Sequence, residues 1–337
     1  MLGGFFENLY LKVFVNIIVG NSKSTVYIEL CKEERVLNSD QEVFVTTTIN
    51  AEMQEFIYSY INETPYYYIS VLDTSETQGA VALCEKSQLA SFFEVASSKY
   101  ICNDKKWTYY TSKTELALLK NSYAKVGVDF IFSPFILLSD FFKDKIAMHV
   151  AMFVLIQEDS LSLSVFDNSE LLFAKHLSME NYSEGDILSI DEGDDIDLDL
   201  TQDEELTDIE DLDEIESLDD FGDIEDLDSI DEIDEFSESK DLEEELSENS
   251  EESFPQQESE GFNEDYQRFL LIHGAISSFY KDKRYKSAFI ETAYIADSVG
   301  VSGDLKRYLE EEMFLSTYIR HVDLTTELCE IAKREIG

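Results

Sequence analysis

Basic side chains are scarce in this chain. It has 25 Lys and Arg against 73 Asp and Glu, a formal charge of −48 over 337 residues. Phosphate backbones are held by clustered Lys and Arg, so this balance argues against nucleic acid as a direct ligand. Proline occurs only three times and tryptophan once, at Trp107. Long hydrophobic runs are missing too. The longest, IAMHVAMFVLI from Ile146 to Ile156, is well short of the roughly 20 residues that a membrane helix needs. MLGGFFENLYLKVFVNIIVG at the start has neither a basic n-region nor a small-residue cleavage site, so no signal peptide is expected there. The four cysteines, Cys31, Cys84, Cys102 and Cys329, form no CxxC pair. They read as buried free thiols in a reducing cytoplasm.

What is abundant is acid, and it is concentrated. Residues 184–252 hold 35 Asp and Glu against Lys240 alone, which is −34 of the chain's −48. A run of like charge repels itself and is expected to stay solvated. Within it, apolar residues recur every third position from Leu206, Ile209, Leu212 and Ile215 to Ile233 and Phe236. Three residues turn a helix about 300°, so this stripe winds around a helix instead of lining one face. The run therefore reads as a disordered spacer, as an acidic-hydrophobic segment for a basic partner, or as a low-complexity calcium sponge. An ordered calcium loop is not present in register. The flanking residues have ordinary globular composition and are long enough for one large domain or two small ones.

Before the acidic run, β-branched stretches at YLKVFVNIIV and STVYIELC, with ERVLN after them, read as a three-stranded meander over 10–38. QEVFVTT reads as a further strand. NAEMQEFIYSYINE is a helix with Asn50 as its cap, ended by Pro65, and PYYYISVLD is a strand. AVALCE, a short helix near KSQLASFF and a strand at WTYYTS follow. TELALLKNSYAKVG is a helix with Thr114 as its cap and Gly127 as its stop. VDFIF is a strand, and Pro134 opens a short helix. AMHVAMFVLI, SLSLSVFD and SELLFAKHL read as a second meander over 147–177. After the acidic run come a long helix at NEDYQRFLLIHGAISSFYKDKR, a strand at SAFIETAYIAD, a helix capped by Asp304, a strand at FLSTYIRHVD and a closing helix. The class is α/β with two sheets.

Catalytic signatures are absent: no GxSxG, HExxH, Walker loop or Cys–His pattern occurs. His149 and His176 are placed in strands and His273 in the long helix. These three and His321 are isolated and read as structural. Trp107, Tyr109 and Tyr110 form an aromatic group suited to core or to a partner surface.

AKVGVDFIFSPFILL (Ala124 to Leu138) and FVLIQEDSLSLSVFDNSELLFAKHL (Phe153 to Leu177), set in this order of elements, resemble the actin-like cytoplasmic platform proteins. These are PilM of type IV pili and the cytoplasmic part of GspL in type II secretion. The resemblance implies an actin-like ATPase (ribonuclease H-like) fold in two halves, interrupted by a long disordered acidic insertion. The implied layout is a first meander over 1–40, an inserted α/β subdomain over 41–127 and a second meander over 128–183. The acidic insertion at 184–256 and the rest of the second half at 257–337 complete it.

The resemblance also locates a nucleotide cleft, and the residues there depart from the binding pattern. Nucleotide-binding relatives open both meanders with an Asp-Ile-Gly-type loop, whose carboxylate handles the metal. Here Ile18-Val19-Gly20-Asn21-Ser22-Lys23-Ser24 has no acid before the turn. Leu155 stands at the second Asp position and Gln157 at the Gly position. The adenosine-side glycines are reduced to Gly300-Val301-Ser302-Gly303. The remaining cofactor-site candidates are Gly20, Ser22, Lys23, Ser24, Asp159, Ser160, Gly300 and Gly303; their plainer reading is ordinary turn residues. No cofactor is expected, with ATP as the alternative.

The implied function is a non-enzymatic adaptor of a pilus, secretion or DNA-uptake machine, cytoplasmic and peripheral at the inner membrane through its partners. Its expected partners are the cytoplasmic tail of a single-pass inner-membrane protein and an assembly ATPase. Tyr67, Trp107 and Tyr109 are the candidate docking residues. The alternatives are an ATP-binding switch or kinase-like enzyme of the same superfamily, and a regulatory protein acting through its acidic run.

Overall fold

The computed structural model describes residues 10–33, 35–179 and 257–336, and for 257–263 the helical backbone alone. The expectations for the acidic run lie outside the described residues.

Three strands open the chain: β1 (Lys12–Val19), β2 (Ser24–Lys32) and β3 (Arg35–Phe44). They pair antiparallel in sequence order. Helix α1 (Ala51–Ile61) crosses over to β4 (Tyr66–Leu72), which lies parallel to β1 on its other side. Asn50 caps α1, its side chain accepting from the Met53 N–H at 2.8 Å. After an excursion described below, β8 (Phe130–Phe132) joins β4 in parallel. The sheet order is β3-β2-β1-β4-β8.

The second half repeats this topology. Strands β9 (Ala151–Ile156), β10 (Ser160–Asp167) and β11 (Glu170–Ser178) are antiparallel neighbours. Strand β12 (Thr292–Asp297) is parallel to β9, and β13 (Ser316–His321) is parallel to β12. The order β11-β10-β9-β12-β13 matches that of the first sheet position for position. Two such sheets, each a meander extended by parallel crossover strands, make the actin-like fold.

The central strands are apolar on both faces because both faces are covered. Every residue of β9 is buried. In β1, Val13, Val15 and Ile17 face Met53, Ile57 and Ile61 of α1. Phe14 faces the core between the two halves, with Phe153, Leu155 and Phe166 of the second sheet. The outer face of the second sheet packs on α6 (Gln257–Lys281) through Phe269, Ile272, Ile276 and Phe279, and on α7 (Gly303–Glu311) through Leu305 and Leu309. The closing helix α8 (Leu324–Ile336) packs back onto β1, β2 and β4, so the chain's last element buttresses its first sheet.

Between β4 and β8 a small sheet stands apart: β5 (Gln78–Val81), β6 (Ser98–Asn103) and β7 (Trp107–Ser112), in the order β5-β7-β6. The insertion is thus narrower than 41–127, because α1 and β4 belong to the first half. Helix α2 (Lys86–Leu89) lies within it, α3 (Lys113–Ser122) leaves it, and α4 (Pro134–Phe141) and α5 (Lys143–Ile146) lead into the second half.

Several local expectations are corrected. ERVLN and QEVF form one strand, β3: Ser39 and Asp40 between them pair in register with Glu29 and Ile28, and the bulge falls earlier, at Leu37. Helix α3 is capped by Ser112 and α7 by Ser302, not by Thr114 and Asp304. His149 lies outside β9 in an exposed bend. Cys84 and Cys102 are bonded to each other, with Cα atoms 5.4 Å apart, and only Cys31 and Cys329 are buried free thiols.

Candidate functional site

The β1–β2 turn and the β9–β10 turn face each other across a cleft of about 640 Å³. Gly20, Asn21 and Lys23 line one wall, and Gln157, Glu158 and Asp159 the other. Glu264 and Arg268 of α6, the loop after β12 and the β13–α8 junction at Asp323 complete it. This is where the sequence placed a nucleotide cleft.

Of the eight candidate positions, Gly20, Lys23 and Asp159 line the cleft. Ser22 is at the exposed tip of its turn, and Ser24 is buried, donating to the Thr46 carbonyl at 2.6 Å. Ser160 starts β10 and its carbonyl accepts from the Gln157 N–H at 2.9 Å. Gly300 has φ +84 in the loop after β12, and Gly303 begins α7.

The backbone amides around the cleft are held by the chain's own carboxylates. Glu158 reaches across so that its Oε2 accepts from the Asn21 N–H at 3.4 Å. A Cβ on Gly20 would come within 2.1 Å of the same oxygen. The space that glycine leaves above the first turn is therefore filled by a carboxylate. Asp297 accepts the N–H groups of Val299, Gly300 and Val301 at 2.9–3.0 Å. Asp323 accepts those of Thr325 and Thr326 at 3.0 and 3.3 Å, together with both threonine hydroxyls. Burial raises the Asp323 pKa, but these donors outweigh it and hold the carboxyl below its ordinary value. Asp265 accepts from the Ser302 N–H and hydroxyl at 2.8 and 2.6 Å and pairs with Arg268 at 2.8 Å.

At the two metal-handling positions this arrangement departs from the pattern of nucleotide-binding relatives. Leu155, at the position of the second metal-handling acid, is fully buried in the core between the halves. Ile18 and Val19 precede the first turn, and apolar groups cannot ligate a hard cation. Of the amides in the two turns, Asn21 N–H has a carboxylate partner, at 3.4 Å, and Gly20 N–H is held by the Lys23 carbonyl at 2.9 Å. Glu158, Asp265, Asp297, Asp323 and Arg268 went unassigned in the sequence. Asp-Leu-Thr-Thr from Asp323 is a readable helix-start signal, although Asp323 also closes the strand pattern of FLSTYIRHVD.

A second concavity, about 330 Å³, separates the small sheet from the body. Trp107, Ile136, Ile146, Phe166 and Ile331 give it an apolar floor. Lys106, Lys143 and Arg334 line it together with Asp104, Asp140 and Glu335. Arg334 and Asp140 pair at 2.5 Å. Trp107 is 4% exposed, edge-on to Phe166, so it is a floor residue and not a surface aromatic. Tyr109 packs beside it, half-buried, and burial followed by the nearby Glu335 charge raises its pKa. Tyr67 is 39% exposed on β4 and does not line the groove.

Among solved structures the chain is similar to a Bacteroides thetaiotaomicron protein with actin-like ATPase fold and unknown function. Identity is 9%, coverage 97% of this chain and 98% of that one, and TM-score 0.47. It is also similar to the PilM–PilN type IV pilus biogenesis complex, at 10% identity, 96% and 94% coverage and TM-score 0.46. For the Aquifex aeolicus PPX-GPPA enzyme the values are 8%, 51% and 55%, and 0.26. No curated protein matches. Residues 10–139 match the model of a domain of unknown function, DUF8569. Residues 152–337, more than half the chain, match that of another, DUF8341, and the chain belongs to this DUF8341 family.

Proposed function

We propose that this protein is a non-enzymatic adaptor whose groove beside the small sheet docks the cytoplasmic tail of a single-pass inner-membrane protein. In this reading it serves a pilus, secretion or DNA-uptake platform and is held at the membrane through that partner. The groove is the observation that carries the proposal. An apolar floor ringed by charges of both signs suits an extended amphipathic peptide, with apolar side chains in the floor and its polar groups at the rim. The apolar residues at the metal-handling positions, Val19 and the fully buried Leu155, support the non-enzymatic part. Among the described residues no helix is long and apolar enough to cross a membrane.

The experiment is capture of solubilised membrane proteins by the full chain, with Ile136→Asp, at a half-buried floor position, and Lys106→Glu as groove variants. A floor residue at an interface centre contributes about 2 kcal/mol or more. Ile136→Asp should therefore weaken capture of one defined single-pass protein at least about thirty-fold, with Lys106→Glu weakening it less. Equal capture by folded variants and wild type would remove the groove from the account.

A further inference from the structure

We propose that the Cys84–Cys102 disulfide is a thiol-operated control on the groove. Closed, it holds one wall in the form that docks a peptide; opened by a dithiol reductant, it lets that wall go. The inference rests on the reading above that the groove is the docking site.

The turn between β6 and β7 builds the wall in question. Asn103, Asp104, Lys106 and Trp107 all line the groove. Cys102 stands immediately before this turn and pairs with Thr108, and Asn103 pairs with Trp107 as the last pair of the ladder. Cys84 lies just past the end of β5. β5 and β6 flank β7 on opposite sides, so the bond joins the chain leaving β5 to the far strand.

Little else anchors that far strand. β6 is an edge of the small sheet, and of its 6 residues only Ser98, at the end away from the turn, is buried. The turn itself has to be held, because Asp104 and Lys105 have φ +46 and +61, a region that residues other than glycine adopt at a cost. β7 is fixed independently. Thr108 is fully buried with its hydroxyl donating to the Leu83 carbonyl at 2.5 Å, and Trp107 packs edge-on to Phe166. Opening the bond therefore frees β6 and the turn and leaves β5 and β7 in place. A wall that has to be ordered again on binding lowers affinity.

The bond is within reach of a reductant. Cys102 is exposed and Cys84 half-buried. A thiolate of the dithiol attacks the Cys102 sulfur, forming a mixed disulfide, and the Cys84 sulfur leaves as a thiolate and takes up a proton. The reductant's second thiolate then attacks its own sulfur in that mixed disulfide and releases the Cys102 thiolate, which is protonated in turn. Two electrons pass to the protein, and the dithiol ends as its disulfide.

Trp107 is the only tryptophan in the chain, so its fluorescence reads this wall alone. In the full chain, dithiothreitol should raise acrylamide quenching of Trp107 at least about two-fold as the wall opens locally. It should also weaken capture of the single-pass membrane protein about ten-fold as pre-organisation is lost. Cys84→Ser/Cys102→Ser should behave as the reduced wild type with or without dithiothreitol, which separates this bond from Cys31 and Cys329. The far-UV circular dichroism of all these forms should match that of the oxidised wild type. Equal capture by oxidised and reduced wild type would overturn the inference and leave the adaptor reading in place. A change in capture with quenching unaltered would also overturn it, as would a general loss of secondary structure on reduction. Absence of capture in both states would overturn the adaptor reading and this inference with it.

Discussion

Replacing Lys333 by Met should destabilise the protein through Glu29, a carboxylate that lines neither concavity. Glu29, in the middle of β2, has a side chain only 4% exposed. Its oxygens accept from Lys333 Nζ at 2.6 Å, Tyr27 at 2.9 Å and the Cys31 thiol at 3.1 Å. Lys333 comes from α8, so the pair ties the last helix to the first sheet, and Lys333 also contacts Glu330. Breaking a buried pair from one side costs about 3–5 kcal/mol, since a buried charge is left uncompensated. Two neutral donors remain on Glu29 and Lys333 is 21% exposed, so the loss falls at or just below the foot of that range, about 2–3 kcal/mol. Urea unfolding at pH 7 should show this as a lower midpoint at unchanged slope.

The acid limb gives a second reading of the same variant. In the wild type, burial raises the Glu29 pKa, but bonds from Lys333, Cys31 and Tyr27 prevail and lower it. Its contribution is therefore present above the unfolded carboxyl pKa and lost as pH falls through the lower folded value. Without Lys333, burial acts with less opposition and protonation relieves the strain, so the gap between variant and wild type should narrow on acidification. Glu29→Gln/Lys333→Met should recover most of the loss. A loss below about 0.5 kcal/mol, in the range of ordinary surface substitutions, would refute the reasoning. So would a double variant no better than the single.

His176 and the disulfide give two further tests. Burial pushes the His176 pKa down to about 4, with its Nδ1 2.9 Å from the Ser162 hydroxyl. The unfolded chain therefore binds the extra proton first, and stability drains as pH falls from the ordinary histidine value, about 6.5, towards 4. His176→Gln should flatten that part of the stability–pH curve, and an unchanged slope would contradict the assignment. The Cys84–Cys102 bond spans a sequence separation of 18. Loop closure of that size is worth about 3 kcal/mol, so Cys84→Ser should cost up to that amount in oxidised protein and nothing measurable under reductant. Intact-mass analysis after alkylation without reductant should find two free thiols, and four would contradict the bond.

The elements with two buried faces, or with a single apolar stripe, were legible in the sequence. β1, β9 and α1 announce themselves because burial selects their side chains. β3 did not, since nearly all of it is exposed and Asn38-Ser39-Asp40 reads as a turn when no buried face marks it as strand. β6, with little buried surface, gave no signal at all. The caps differ because Ser112 and Ser302 stand two residues before Thr114 and Asp304, which have equally suitable side chains, and only the geometry shows which oxygen accepts.

At the cleft, the missing acids at Val19 and Leu155 could be read from their positions, but the carboxylates that fill the amides could not. Glu158 acts on Asn21, 137 residues away, and no local pattern carries that. Trp107 was legible as aromatic but not as floor, because its burial depends on Phe166 across the second sheet.

Steady-state ATP turnover by the purified full chain with magnesium tests the central claim most directly. With apolar side chains at both metal-handling positions and Glu158 over Gly20, no turnover above a buffer blank is expected. Robust magnesium-dependent turnover, abolished by Asp159→Ala, would contradict the account by showing that the working acid had moved along the second turn.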